Sequence, residues 1–283
     1  MLFYIMLNAI TIDLEDYYQV TAFDHIIDRQ NWDNMESRIQ QNLEKVLSIL
    51  DDYKVKATFF VLGWIAERHP VLIRTIFNEG HEVASHGYDH IMINHHSKES
   101  FKEDIKKTKH ILEDITGCKV KGYRAPTFSI NNSSIWALNI LSESGHVYDS
   151  SIFPIKHDRY GMPHAKRFPH IIEMNGCGIK EFPPSTIRIF DWNFPIAGGG
   201  YLRLFPLKLI EWGIKRINDI EKQPAIIYMH PWEFDPAQPR MPVSRLSRFR
   251  HYVNLDSTEN KLRHLIKNFK FTTLSKLSSQ LFK

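Results

Sequence analysis

Apolar residues along the chain follow two rhythms. Short β-rich runs alternate with longer stretches in which apolar side chains recur every three or four positions, as expected of parallel strands joined by crossover helices. The short runs predict strands at 7–13, 57–62, 82–85, 122–124, 146–148, 179–182, 225–230 and 269–272. Between the first two, Ile39, Leu43, Val46, Leu47 and Leu50 share one helical face. Leu72, Ile73, Ile76 and Phe77 form the next such face, and Gly80 supplies its stop. Over 97–116, Ser97 suits an N-cap, Phe101, Ile105, Ile111, Leu112 and Ile115 make a buried stripe, and Gly117 ends it. Six or seven such units in 283 residues suit a closed or nearly closed β/α barrel better than two domains; an open doubly wound sheet is the competing architecture. No linker, repeat or low-complexity tract divides the chain, which is read as one domain over 1–283. The stretch 183–206, with Gly198-Gly199-Gly200 inside it, reads as an irregular insertion over one barrel mouth. No Lys-Ser/Thr follows the three glycines, so they read as a structural loop rather than an anion cradle.

Composition narrows the function classes. A hydrophobic fraction of 43%, with 12% aromatic, is enough for a sizeable core and excludes disorder as the main state. The balance of 36 Lys+Arg against 32 Asp+Glu leaves +4, too weak a bias to argue for nucleic acid as a partner. Two cysteines, Cys118 and Cys177, exclude a disulfide framework and a Cys-based zinc site, so any metal ligands must be His and carboxylates. The apolar opening has no basic residue ahead of it and no small-residue cleavage site after it, and reads as a buried strand rather than a secretory signal. No run reaches the roughly 18 apolar residues of a membrane helix. These features predict a soluble, cytoplasmic chain without a transmembrane segment.

Five polar clusters fall at predicted strand ends, where a β/α barrel collects its catalytic groups. The first is Asp13-Leu14-Glu15-Asp16; strand alternation puts Asp13 and Glu15 on one side, and Asp16 falls where the strand gives way to Tyr17-Tyr18. The second is Ser85-His86-Gly87-Tyr88-Asp89-His90. With 15 His in the chain, chance alone supplies about one His-x3-His pair, so the spacing gains meaning only from its place after a strand and beside Gly87. Two imidazoles and a carboxylate make a common three-ligand set for a divalent ion. Arg124-Ala125-Pro126-Thr127-Phe128 places a forked cation near the first-strand acids. Asp149-Ser150-Ser151 and Met229-His230-Pro231-Trp232-Glu233 complete the set with an acid and a histidine. A buried acid beside a histidine holds its orientation and raises its pKa, as a proton donor to a leaving group requires.

Taken in order, these motifs resemble the polysaccharide deacetylases of carbohydrate esterase family four, over about residues 7–275, and their spelling is most similar to the exopolysaccharide-biosynthesis, exosortase-associated branch. The resemblance implies a distorted (β/α)7 barrel and a divalent metal, usually zinc, held by two histidines and one carboxylate. His86 and His90 match the histidines; Glu15 or Asp16 is the carboxylate, because relatives carry two adjacent aspartates where this chain has Leu14-Glu15-Asp16. Asp13 matches the base, Arg124 the arginine that orients it, His230 the catalytic histidine and Asp149 the acid that tunes it. Phe128 stands where many members have Tyr, with a backbone N–H placed to help hold an oxyanion.

The implied activity is metal-dependent removal of N-acetyl groups from amino sugars of a polysaccharide or its precursor, in association with polysaccharide-synthesis machinery. Tyr17, Tyr18, Phe128, Trp192 and Trp232 are candidate platforms for sugar faces, Trp232 foremost because it follows His230 by two. The basic run 240–251 reads as a solvated face, with a grip on an anionic glycan or a lipid-linked diphosphate as the alternative. Two other functions fit the same scaffold: metal-free opening of a cyclic ureide or amide, and silent carbohydrate binding. The intact His86 and His90 argue against the first of these.

Overall fold

The hub of the fold is its first strand, β1 (Leu7–Leu14), buried from Asn8 onward. A strand flanked by partners and covered on both faces is mostly apolar, as Ala9, Ile10, Ile12 and Leu14 are here, and the buried polar residues among them, Asn8, Thr11 and Asp13, each find a hydrogen-bond partner. The computed structural model describes residues 6–174 and 177–283. After β1 come α1 (Ile39–Asp52), β2 (Thr58–Val61), α2 (Gly63–Arg68), α3 (Pro70–Asn78), β3 (Glu82–Ser85), α4 (Lys98–Thr116), β4 (Gly122–Tyr123), α5 (Ala137–Glu143) and β5 (Tyr148–Asp149). The second half holds β6 (His170–Met174), β7 (Cys177–Glu181), β8 (Thr186–Ile189), β9 (Trp192–Pro195), α6 (Gly199–Leu204), α7 (Leu207–Lys215), β10 (Ile226–Met229), α8 (Arg245–Tyr252), α9 (Thr258–Asn268), β11 (Lys270–Thr272) and α10 (Leu274–Leu281).

Seven parallel strands run in the order β10-β1-β2-β3-β4-β5-β7, β11 pairs β1, and β6 adds antiparallel to β7. All eight predicted strand positions carry strands. Helices such as α1, with Ile39, Leu43, Val46, Leu47, Ile49 and Leu50 buried, cover the sheet. Each such side chain contributes about 1.5–3 kcal/mol on leaving water. Ser97 caps α4 as its position suggests, accepting from the Ser100 N–H.

Among the described residues, strand pairing does not close the barrel. The seam between β7 and β10 is spanned by the segment after β7: the Ser185 N–H donates to the Ile226 carbonyl at 3.1 Å, and the Ile226 N–H donates to Ser185 Oγ at 2.7 Å. Gly198 then bridges Tyr228, and a Cβ there would lie 1.7 Å from the Tyr228 carbonyl oxygen, so only glycine permits this approach. The stretch 183–206 is therefore more regular than its composition suggests, holding the β8–β9 hairpin and α6. Phe190 in the hairpin turn and Trp192 and Phe194 on β9 are exposed, so β9 lacks the buried alternation by which strands are read.

Candidate active site

The carboxyl ends of four parallel strands converge on one cavity of about 390 Å³. β1 delivers Asp13 and Glu15, β3 delivers His86, β4 delivers Arg124 and β10 delivers His230. His90 arrives on the turn after His86, where Gly87 takes φ +74° and His90 itself φ +59°. Thr127 and Phe128, which line the cavity, are also left-handed, at φ 55° and 52°.

Arg124 is fully buried and spends its guanidinium on one end of Asp13. Its Nη1 donates to Asp13 Oδ1 at 2.6 Å and to Thr11 Oγ1 at 2.8 Å, while Nε and Nη2 donate to the carbonyl and hydroxyl of Ser150. Asp13 Oδ2 is left facing His230 Nε2, 3.8 Å away. The arginine therefore fixes the carboxylate with one oxygen turned to the cavity.

Glu15, His86 and His90 offer ligand atoms that all lie within 4.8 Å of one another. Second contacts orient both imidazoles. His86 Nδ1 is 2.8 Å from the Arg124 carbonyl, which can only accept, so Nδ1 carries the proton and Nε2 presents its lone pair. Burial pushes His86 down to about 4, keeping it neutral as a ligand must be. His90 Nδ1 touches Thr21 Oγ1 at 3.4 Å, and its Nε2 lies 3.0 Å from Glu15 Oε2. Glu15 Oε2 is buried without a hydrogen-bond donor. An orphaned carboxylate oxygen among imidazole lone pairs is the environment that a divalent cation satisfies, so these residues fit a metal.

Asp16 is placed differently. Its Oδ1 accepts from the Tyr17 N–H, and its Oδ2 accepts from Ser37 Oγ and the Arg38 N–H, tying the end of β1 to the start of α1. Burial raises it to about 6. Of the two acids predicted as alternatives, the structure brings Glu15 to the histidines and uses Asp16 as a brace.

His230 is surrounded by acids: its Nε2 is 3.4 Å from Glu15 Oε1, and its Nδ1 is 3.2 Å from Glu233 Oε2. Burial alone would lower its pKa, but the Glu15, Glu233 and Asp13 carboxylates outweigh that and raise it to about 9. Trp232 lies along the same wall, 5.1 Å from the His230 ring and nearly parallel to it, with its Nε1–H donating to Glu15 Oε1 at 3.3 Å. His251 stacks on the far face of Trp232 at 4.2 Å.

Three expectations need correction. Asp149 does not reach His230: its carboxylate accepts from the Ser151 N–H and hydroxyl and lies against Glu181. Burial raises both acids of that pair, which favours sharing one proton. Its strand end lies one place beyond that of Arg124 in the sheet, which sets it outside the acids around the histidine. The partner of His230 is Glu233, three residues on in the same turn, and the buried Arg203 of α6 donates to Glu233 Oε1 at 2.7 Å. The spacing His230-Pro231-Trp232-Glu233 could have disclosed Glu233; nothing local marks Arg203. Second, the Phe128 N–H donates to the Ala125 carbonyl at 3.0 Å and is committed to its own turn. Third, Tyr17 and Tyr18 are buried behind the cavity rather than on its wall, because they pack edge to face with one another and on Trp32. Trp192 sits exposed on the hairpin. Phe128 and Trp232 do line the cavity.

Comparisons with known proteins match both halves of the chain. Residues 27–145 match a family model described as polysaccharide deacetylase, and residues 150–279 match one described as a domain of unknown function, DUF3473. A peptidoglycan-N-acetylglucosamine deacetylase of Bacillus cereus is 37% identical over 94 residues, 33% of this chain and 34% of that protein. A chitooligosaccharide deacetylase of Rhizobium leguminosarum bv. trifolii is 31% identical over 100 residues, 35% of this chain and 44% of that protein. The chain thus spans less than half the length of these curated relatives. A crystal structure from Mycobacterium smegmatis, named for the polysaccharide deacetylases, superposes with a TM-score of 0.65 at 20% identity, covering 97% of this chain and 89% of the other, and shares the fold.

Proposed function

We propose, from the match of residues 27–145 to the polysaccharide deacetylase family, that the chain belongs to that family and hydrolyses N-acetyl groups on amino sugars of a polysaccharide or its precursor. The observation that carries the reading is the convergence of Glu15, His86 and His90 within 4.8 Å, with Asp13 and His230 flanking them on the same cavity. Glu15, His86 and His90 would hold a divalent ion, zinc in our reading, which supplies a Lewis acid to polarise the acetamide carbonyl and acidify water.

The chain's own groups move the protons. Asp13 Oδ2, left free by the Arg124 clamp on Oδ1, accepts a proton from the water that attacks the carbonyl carbon. As the carbon–nitrogen bond breaks, His230, held protonated by the surrounding carboxylates, donates its Nε2 proton to the departing sugar nitrogen. An amine leaves poorly as an anion, so this donor is required. The products are acetate and a free amino sugar. Glu233 and Arg203 keep the imidazole oriented.

Residues 1–283 act in this reading as one catalytic domain, since His230 and Glu233 come from the 150–279 segment while His86, His90 and Arg124 come from 27–145. The motif spelling also suggests work on an exopolysaccharide alongside polysaccharide-synthesis machinery. No helix among the described residues is long and apolar enough to cross a membrane. The direct test is acetate release from N-acetylglucosamine oligomers by the zinc-loaded chain, before and after chelation. Release that stops on chelation and returns with zinc is expected; chelator-resistant release, or none from any N-acetylated glycan, overturns the reading.

A further inference from the structure

The cavity has a second wall that the proposed chemistry does not use. Beyond His230 and Trp232 it is lined by Leu204, Leu246, Phe249 and Arg250, so α8 stands at its mouth. Ser247 and His251, four apart, are buried and anchor α8 to the body. The rest of the helix faces outward: Arg245, Leu246, Arg248, Phe249 and Arg250 are all exposed. Leu246 and Phe249, three apart and on one face, are 58% and 52% exposed, and Leu204 is 44% exposed beside them. Between Asp235 and Asp256 the chain has four arginines, Arg240, Arg245, Arg248 and Arg250, and no Asp or Glu. Among the described residues Arg250 alone of these is ion-paired, to Asp158 at 3.2 Å.

We propose that α8 is an interfacial helix that seats the cavity mouth on an anionic lipid surface, with Leu246 and Phe249 entering the headgroup boundary and Arg240, Arg245 and Arg248 meeting lipid phosphates. Charge and apolarity together decide the occupant. A hydrated acidic polysaccharide would satisfy the arginines and could stack a sugar face on the Phe249 ring, but leaves the aliphatic Leu246 and Leu204 uncovered. An uncharged apolar partner would cover those two and strand the cations. A bilayer surface with anionic headgroups satisfies both, and the arginine stems can lie along the apolar side chains while their heads stay with phosphate. The cavity leading to His230 then opens toward the headgroups, where a membrane-attached glycan would be presented.

Cosedimentation of the full chain with vesicles tests this. Pure phosphatidylcholine vesicles are compared with phosphatidylcholine mixed with phosphatidylglycerol, over a salt series. The expected result is at least about tenfold stronger partitioning onto the mixed vesicles at low salt, falling steeply as salt rises. The double variants L246S/F249S and R245Q/R248Q should each weaken that binding about fivefold or more with unchanged thermal unfolding, and R245Q/R248Q should leave acetate release from a soluble oligomer intact. Equal partitioning onto the two vesicles overturns the proposal. So does full binding by L246S/F249S, which would make the patch a site for soluble polyanions, or a stable dimer that hides α8. Should a variant fail to fold, the lipid-composition and salt series on the unaltered chain is decisive by itself.

Discussion

Arg203 Nε donates to Glu233 Oε1 at 2.7 Å, and neither side chain has more than marginal contact with solvent. The remaining guanidinium donors meet the carbonyls of Arg250, His251 and Val253, so the pair ties the turn bearing His230 to the wall built by α8. Burial would raise Glu233, but the Arg203 and His230 charges outweigh it and hold it at about 2. Removing the cation strands that carboxylate. Arg203→Met is expected to cost about 3–5 kcal/mol in urea unfolding, the usual cost of breaking a buried pair from one side. A loss under about 1 kcal/mol would mean that the carboxylate finds solvent or another donor.

Glu233 rather than Asp149 faces His230, and the two acids make opposite predictions. Glu233→Gln should lower kcat for acetate release by about tenfold or more with little change in KM, because orientation and charge at the proton donor are lost. Asp149→Asn should stay within about threefold of the unaltered chain, since its contacts are Ser151 and Glu181. Steady-state kinetics on one oligomer reads both; the reverse ranking would restore Asp149 as the tuning acid.

Asp13→Asn removes the acceptor and keeps the Arg124 clamp sterically intact, while His230→Ala removes the donor. Each should reduce acetate release by about 10²–10⁴-fold, the contribution of a positioned proton transfer. Single-turnover assays on both purified variants check this. Turnover within a few-fold of the unaltered chain in either one contradicts the assigned role.

Glu15 and Asp16 are adjacent but play separate parts. Glu15→Gln should abolish stable zinc binding, whereas Asp16→Asn should retain it and lose stability instead, because an amide NH2 in place of Oδ2 cannot accept from Ser37 Oγ and the Arg38 N–H. Elemental analysis after dialysis distinguishes the two. Zinc retained by Glu15→Gln and lost by Asp16→Asn would reverse them.

Much of the fold was legible because buried parallel strands and their covering helices write strong periodic signals, as in β1 and α1. The strand ends were legible too, and with them Asp13, His86, Arg124 and His230. What stayed hidden depends on distance in space rather than along the chain. Asp149 and Glu233 are both acids near strand ends, and only the placement of β5 and of the 231–234 turn separates them. Arg203 is unmarked because its partners lie about 30 to 50 residues away. The β8–β9 hairpin escaped because Phe190, Trp192 and Phe194 are exposed and, of its apolar side chains, only Ile187 enters the core fully.

The proposed hydrolysis depends on one ion seated among Glu15, His86 and His90. A zinc-edge anomalous difference map from crystals grown with zinc tests this most directly. It should show one strong peak joined to one oxygen of Glu15 and the Nε2 atoms of His86 and His90, at about 2.0–2.2 Å from each, with Asp13 and His230 on its open side. A peak on Asp16, a peak remote from these histidines, or no peak at saturating zinc would contradict it.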